Sequence, residues 1–293
     1  MKRRQTVRRL EIIAIVVVVA VSLGVGFYLA LTLKGPNTSL DNTLVPQNVY
    51  DSLYKTSEVP YGASGSAYMN VVENYTGPLF TTNGKPILVY VGAEFCPFCA
   101  VTRWPLIMAL MRFGNFTNLE YMVSYEDNYA TFTFVASSYH SDYLVFQPYE
   151  VESTEGTPLQ TLPANYTSVW KQLTTVESFP FLDFNDQYVI VQSILPQPAI
   201  LGTMNQTQII SSIQAGGSLA DQIKQAANAV TKVICETTGN KPASVCGQTS
   251  ITDTLVSYTP LSTSSGSELL LAGSSFTVSP NAFTAVRDYS SWN

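Results

Sequence analysis

The sequence predicts an α/β protein, a mixed sheet flanked by helices and carried behind one apolar anchor. Three stretches predict it. Val89-Tyr-Val-Gly-Ala-Glu-Phe-Cys-Pro-Phe-Cys99 is an apolar run that ends in Cys-x-x-Cys and is followed by Ala100-Val-Thr-Arg-Trp104, the pattern of a buried strand, a tight turn and a helix. Phe181-Leu-Asp-Phe184 and Tyr188-Val-Ile-Val191 flank the turn-rich Asn185-Asp-Gln187, which predicts a hairpin opened by Pro180. Thr203–Ile213 and Leu219–Cys235 then space their apolar residues as two amphipathic helices that would cover one sheet face.

Taken in order, the chain opens with Lys2, Arg3, Arg4, Arg8 and Arg9, after which Ile12–Leu33 is apolar and uncharged. About 22 residues at about 1.5 Å each give about 33 Å, enough to cross a hydrocarbon core. The run exceeds a typical signal-peptide apolar region and lacks an Ala-x-Ala cleavage pattern near Ala30, which favours an uncleaved anchor. With the basic residues on its N-terminal side, a single-pass topology leaves the rest of the chain outside the cytoplasm. The expected organisation is therefore a tail and anchor over 1–34, a linker and short helix over 35–66, an α/β domain over 67–248, and a Ser/Thr-rich extension over 249–293.

Pro36-Asn-Thr-Ser-Leu-Asp-Asn-Thr43 reads as linker and Val49–Lys55 as the short helix. Short strands at Val71-Val72 and Leu79-Phe80 lead into Asn83-Gly84, a hairpin turn pair feeding the Val89 strand. The helix after Cys99 should reach about Arg112 and stop at Gly114. Leu119–Ser124 reads as the next strand of the sheet. An insertion over about 125–175 holds the runs Thr131–Phe134 and Tyr143–Phe146, an added hairpin or pair of long strands joined through His140, and a helix at Ala164–Leu173. Leu269–Leu271 and Phe276–Val278 would add strands to the extension.

The Cys-x-x-Cys pair carries the chemistry. At a helix start, unpaired N–H groups and the helix dipole favour a thiolate on Cys96, and Pro97 suits the first helical turn. Two other readings compete. One is half of a zinc site, against which stand the spacing of Cys235 and Cys246 and the single His140. The other is an inert structural disulfide. Cys235 and Cys246 bracket a short loop that a disulfide would close in an oxidising compartment; the alternative is a second redox pair exchanging with Cys96.

Val89 to Cys99 resembles the active-site strand and turn of thioredoxins, and Ser178-Phe179-Pro180 matches the family's second signature, a cis proline that opens a hairpin and faces the cysteines. Asn83-Gly-Lys-Pro86, Gly92 to Ala100, Arg103-Trp104, Arg112-Phe-Gly114, Thr131-Phe-Thr-Phe134 and Pro242-Ala-Ser-Val-Cys246 further resemble the thioredoxin-like archaeal family known as domain of unknown function 929, met in membrane-anchored proteins of thermoacidophiles, over about residues 45–247. The resemblance implies a thioredoxin-like fold with an inserted β-hairpin region. It makes Cys96 the attacking or leaving sulfur and Cys99 the resolving one. Phe179 and Pro180 would line the substrate groove, and Pro97 and Phe98 would tune the potential. Two departures stand out. Tyr90 replaces the buried aspartate that assists proton transfer in many thioredoxins, and the gap from Cys99 to Pro180 is longer than theirs. No Thr and Arg pair is placed around Cys96 as peroxide reduction would need.

Only 12% of residues are charged, and nearly half of the basic ones sit in the anchor region or beside it, so the part beyond the anchor is acidic, which argues against nucleic acid as a partner. Few carboxylate pairs means few interactions lost in acid, which suits an acidic exterior. There a thiolate persists only if its pKa falls toward about 3.5. Asn37, Asn74, Asn115, Asn165 and Asn205 each begin an Asn-x-Ser/Thr sequon and are candidate glycosylation sites. The expected function is a membrane-tethered thiol–disulfide oxidoreductase without cofactor or metal, acting on protein thiols or disulfides with a redox partner the sequence does not name. The competing expectation is a cell-surface binding or structural protein whose cysteines form a permanent bridge.

Overall fold

The computed structural model describes residues 38–58, 63–174, 176–254 and 259–260. Its elements fall in one compact unit. The anchor at Ile12–Leu33, the sequon at Asn37 and the strands expected after Leu269 lie outside the described residues. Among the described residues, no helix is long and apolar enough to cross a membrane.

Helix α1 (Gln47–Ser57) contains the expected 49–55 segment and buries Leu53. The short strands come slightly later than the apolar pairs suggested. Val71 ends a 3₁₀ turn, and β1 is Glu73–Asn74 and β2 is Thr81–Thr82. Asn83 and Gly84 then take φ of 54° and 75°, and Thr82 pairs with Lys85, the two-residue turn that this dipeptide favours. Strand β3 (Lys85–Ala93) is buried continuously from Ile87 to Ala93, as a strand covered on both faces must be. It runs into α2 (Pro97–Met111), whose only charged residue is Arg103.

The next region departs from expectation. Leu119–Ser124 yields β5 (Glu120–Val123), which does not join the main sheet. Following β4 (Gly114–Thr117), it pairs with β6 (Ala130–Thr133) in a separate ribbon, while β4 pairs with β7 (Ser138–Ser141). Aromatic packing explains the placement. Phe132 meets Trp104 of α2 edge-on at 5.0 Å and stacks near Tyr121 at 6.1 Å, so the ribbon seals the side of the helix rather than extending the sheet. His140 lies exposed within β7, not in a connection.

The Tyr143–Phe146 run instead opens β8 (Val145–Glu152), which pairs parallel with β3 from Ile87↔Val145 to Gly92↔Glu150. The sheet's parallel partner thus lies inside the stretch read as an insertion. Pro148 disguised it, since a proline reads against a strand; β8 bonds only to β3 in the main sheet, where a missing N–H is tolerated.

Helix α3 (Ala164–Leu173) follows, then β9 (Phe181–Phe184) and β10 (Tyr188–Ile190), antiparallel to one another, with β9 antiparallel to β3. The order is β11-β1-β10-β9-β3, with β2 and β8 also bonded to β3 and β11 formed by Thr259–Pro260. Helices α4 (Gln206–Ala215) and α5 (Ser218–Thr237) complete the layers before the short α6 (Ala243–Cys246) and α7 (Thr249–Thr252). Asn205 and Gln208 form a capping box that starts α4. Gln206 donates to the carbonyls of Met122 and Thr131 at 2.9 Å, tying α4 to the β5–β6 ribbon.

The alternation of the strands divides the core. Leu88, Tyr90, Leu182 and Phe184 face α2 and α5, whereas Val89, Val91 and Phe181 face Tyr166, Val169 and Trp170 of α3. The result is a mixed α/β protein with a mixed sheet flanked by helices.

Candidate functional site

The site forms where β3 gives way to α2. Cys96 is the residue before the first helical turn, with φ −75° and ψ 122°, and its sulfur accepts a hydrogen bond from the Cys99 backbone N–H at 3.2 Å. The sulfur therefore takes the place that a serine or aspartate side chain usually fills at a helix start. Pro97 begins the helix, where its missing N–H leaves nothing unpaired. Both cysteines are unbridged; Cys99 is fully buried and Cys96 is 5% exposed.

Phe179, distant in sequence, packs with Phe95 and Phe98 against the cluster of Ala93, Cys96 and Cys99. Two contacts hold it there. Trp170 donates from its indole N–H to the Ser178 carbonyl at 2.8 Å, and Phe95 meets the Phe179 ring edge-on at 5.7 Å. The Phe179–Pro180 peptide is cis, and Pro180 lies one step beyond the Val91↔Phe181 pair, at the end of β3 that leads to the cysteines. The structure thus gathers Cys96, Pro97, Phe98, Cys99, Phe179 and Pro180 at one end of the central strands.

Beneath them lies a polar layer to which the sequence reading gave no role. Arg103 and Glu150 are fully buried and joined by two hydrogen bonds, Nε to Oε1 at 3.0 Å and Nη2 to Oε2 at 2.6 Å. Arg103 Nη2 also donates to the carbonyl of Ala93 at 3.0 Å. The Tyr90 ring lies under the guanidinium at 5.9 Å, and neither its hydroxyl nor Arg103 Nη1 has a partner among the described residues. Glu94 is buried and accepts a hydrogen bond from Thr133 at 2.8 Å. One signal for this layer was present in the sequence: a single charge in an otherwise apolar helix, seven residues after Cys96 and four after Cys99, falls on the cysteines' face.

The electrostatics split the pair. Burial pushes the Cys96 thiol up, but hydrogen bonds from the Cys99 side chain and N–H, the Arg103 charge and the Phe98 N–H outweigh it, and Cys96 is held below the usual thiol value. Burial, the hydrogen bond to Cys96 and repulsion from a Cys96 thiolate drive Cys99 well up. The pair thus keeps one proton, on Cys99. Burial likewise raises Tyr90 and Glu94, so the tyrosine stays a neutral phenol.

Cys235 and Cys246 form a disulfide with a Cα–Cα distance of 5.6 Å, joining the last turn of α5 to α6. Asn74, Asn115, Asn165 and Asn205 are exposed and lie far apart along the fold. Among the described residues no group of three or more His, Cys, Asp or Glu side chains is placed to hold a metal ion.

Fold and site define the class: a mixed α/β protein presenting an unbridged Cys-x-x-Cys pair at a helix start. The chain belongs to the family described as Domain of unknown function (DUF929), whose model matches residues 74–236, more than half of its length and all of this site. No curated protein and no solved structure matches the chain.

Proposed function

We propose that this protein is a thiol–disulfide oxidoreductase on a thioredoxin-like scaffold. The observation that carries the reading is the packing of Phe179 against Cys96 and Cys99, which sets the residue before Pro180 beside a dithiol whose first sulfur favours the thiolate. A buried strand running into Cys-x-x-Cys, and a proline-opened antiparallel hairpin next to it, support the thioredoxin-like assignment. In the reducing direction the Cys96 thiolate attacks one sulfur of a substrate disulfide, that S–S bond breaks, and the other substrate sulfur leaves as a thiolate. Cys99, giving up its proton, then attacks the Cys96 sulfur and releases the second substrate thiolate. The protein pair ends oxidised by two electrons and the substrate reduced by two. Run backwards, the same steps oxidise a substrate dithiol.

Partly buried Phe95 and Phe98 edge the site, and the adjoining loops present Tyr125 and Val176, 71% and 70% exposed, an apolar rim suited to an extended polypeptide. The partners in this reading are protein thiols or disulfides and an unidentified redox partner. Tethering to the cell membrane with the domain outside the cytoplasm rests on the basic-then-apolar N-terminus, and the Cys235–Cys246 bridge supports an oxidising compartment. The exposed sequons are candidate glycan acceptors there.

The depth of the sulfurs favours a second reading, a cell-surface binding or structural protein whose Cys96–Cys99 pair is a permanent bridge. Trapping separates the two. A Cys99→Ser variant of the full chain should accumulate disulfide-linked client polypeptides through Cys96 that dissolve on reduction. If it captures none while Cys96 alkylates no faster than a small free thiol, the binding protein is the better reading.

A further inference from the structure

We infer that Arg103 is the positioning residue of this dithiol, a buried cation that favours the Cys96 thiolate and so makes the Cys96–Cys99 disulfide easier to reduce. The inference rests on the thiol–disulfide reading above and names what tunes that site. Geometry supports it first. Cys96, Cys99 and Arg103 fall on one face of α2, and the guanidinium is bonded to the carbonyl of Ala93, which itself packs on both sulfurs. Its Nη1 is fully buried and unpartnered among the described residues, which is costly for a cation unless a negative charge develops nearby. The groups that face it are Tyr90 from β3, Glu94 from the turn, Glu150 from β8, and the two cysteines.

Chemistry supports it next. Tyr90, on β3, is a phenol held neutral by burial and brings no charge to the pair, and the charged side chain that bears on Cys96 is Arg103. Glu150 offsets the cation within the same layer and holds it in place. Burial opposes the guanidinium charge, yet Glu150 keeps it firmly protonated. The reduced pair, one thiolate and one thiol, gains from that charge, whereas the uncharged disulfide does not. A cation here therefore shifts the two-electron balance toward the reduced form and toward oxidation of the substrate.

The test uses the full chain and two variants. Arg103→Met combined with Glu150→Met removes both charges at similar volume, the kind of exchange buried ion pairs tolerate. Glu150→Gln leaves the cation without its counter-charge. The readouts are the pH midpoint of Cys96 alkylation and the equilibrium constant of the Cys96–Cys99 disulfide with glutathione. The double variant should raise the Cys96 midpoint by about one unit and shift the equilibrium about tenfold toward the disulfide, about 30 mV. Glu150→Gln should move both readouts the opposite way. Unchanged values in both variants, or shifts of the same sign, overturn the inference. Should the double variant fail to fold, Glu150→Gln decides, an unmoved Cys96 midpoint counting against Arg103. A wild-type pair that never exchanges with glutathione refutes the oxidoreductase reading instead, and the alkylation midpoints still judge Arg103.

Discussion

The chain holds two cysteine pairs, and depth does not distinguish them. Cys96 and Cys99 are 5% and 0% exposed; Cys235 and Cys246 are 0% and 6% exposed. The difference is where each pair meets a helix. Cys96 stands at the positive end of α2, receives an N–H and lies above Arg103. Cys235 sits in the last turn of α5, the negative end, next to Glu236, where a thiolate would be disfavoured. The first environment favours a thiolate. The second offers no such help, and a bridge across the loop from α5 to α6 is worth more as a constraint on the unfolded chain.

The largest expected contrast follows directly. Cys96→Ser should reduce disulfide exchange with an insulin or small-peptide substrate to the uncatalysed level, whereas Cys235→Ser with Cys246→Ser should leave the rate within about twofold. Stability should respond in reverse. Losing the loop-closing bridge should cost about 2–3 kcal/mol and lower the Tm by roughly 4–12 °C, as scanning calorimetry would record. If the bridge variant lost exchange, the two pairs would belong to one relay and the contrast would collapse.

Alkylation sharpens the contrast within the first pair. In the reduced chain, iodoacetamide should modify Cys96 well before Cys99, because the Cys96 thiol is held down by its donors while Cys99 is pushed up by burial and its neighbour. The Cys96 rate should keep its plateau below the pH at which a free thiol, with a pKa of about 8.5, loses its thiolate. In Cys99→Ser the Cys96 midpoint should stay below that of a free thiol, because the backbone N–H groups of residues 98 and 99 and the Arg103 charge remain and a hydroxyl replaces the thiol as donor. A wild-type midpoint at or above that of a free thiol would remove the asymmetry on which the mechanism depends.

Much of this arrangement could be read from the chain, for reasons tied to particular residues. The Asn83-Gly84 turn, the strand into Cys96 and the α4 and α5 helices are local signals, set by turn chemistry and periodicity, and the structure forms each of them. Pairing partners are not local. The choice of β8 rather than β5 as the neighbour of β3 goes with Phe132, stacked near Tyr121, packing on Trp104 of α2, and no short window of sequence carries that. The Cys-x-x-Cys pair and Pro180 are visible as motifs. Glu150 was hidden because an acid in a mixed strand, two residues before another, looks like a solvated side chain until Arg103, on another element, is placed against it.

The smallest effect concerns a buried pair of acids, which repeats the cysteine comparison with oxygen in place of sulfur. Asp183 and Asp186, both 1% exposed, lie at the turn of the β9–β10 hairpin, where Asp183 Oδ1 accepts the Asp186 N–H at 2.7 Å. Burial first, then Asp186, pushes Asp183 up to about 8 from 3.8, and burial raises Asp186 as well; Tyr75 and Tyr166 lie close enough to feel both carboxylates. With the folded value above the unfolded one, the folded chain keeps a proton that the unfolded chain has released between about pH 4 and about pH 8. Acidification through that window favours the fold, and rising pH removes the advantage, by up to about 1.4 kcal/mol per pH unit for one proton. Wild type should therefore gain about 1 kcal/mol in urea unfolding between pH 7 and pH 6. Asp183→Asn keeps an acceptor for the Asp186 N–H and supplies a permanent donor where the shared proton would be. That variant should flatten the slope and be the more stable chain at pH 8, whereas a wild-type slope of the opposite sign would mean that the two acids do not hold a proton between them.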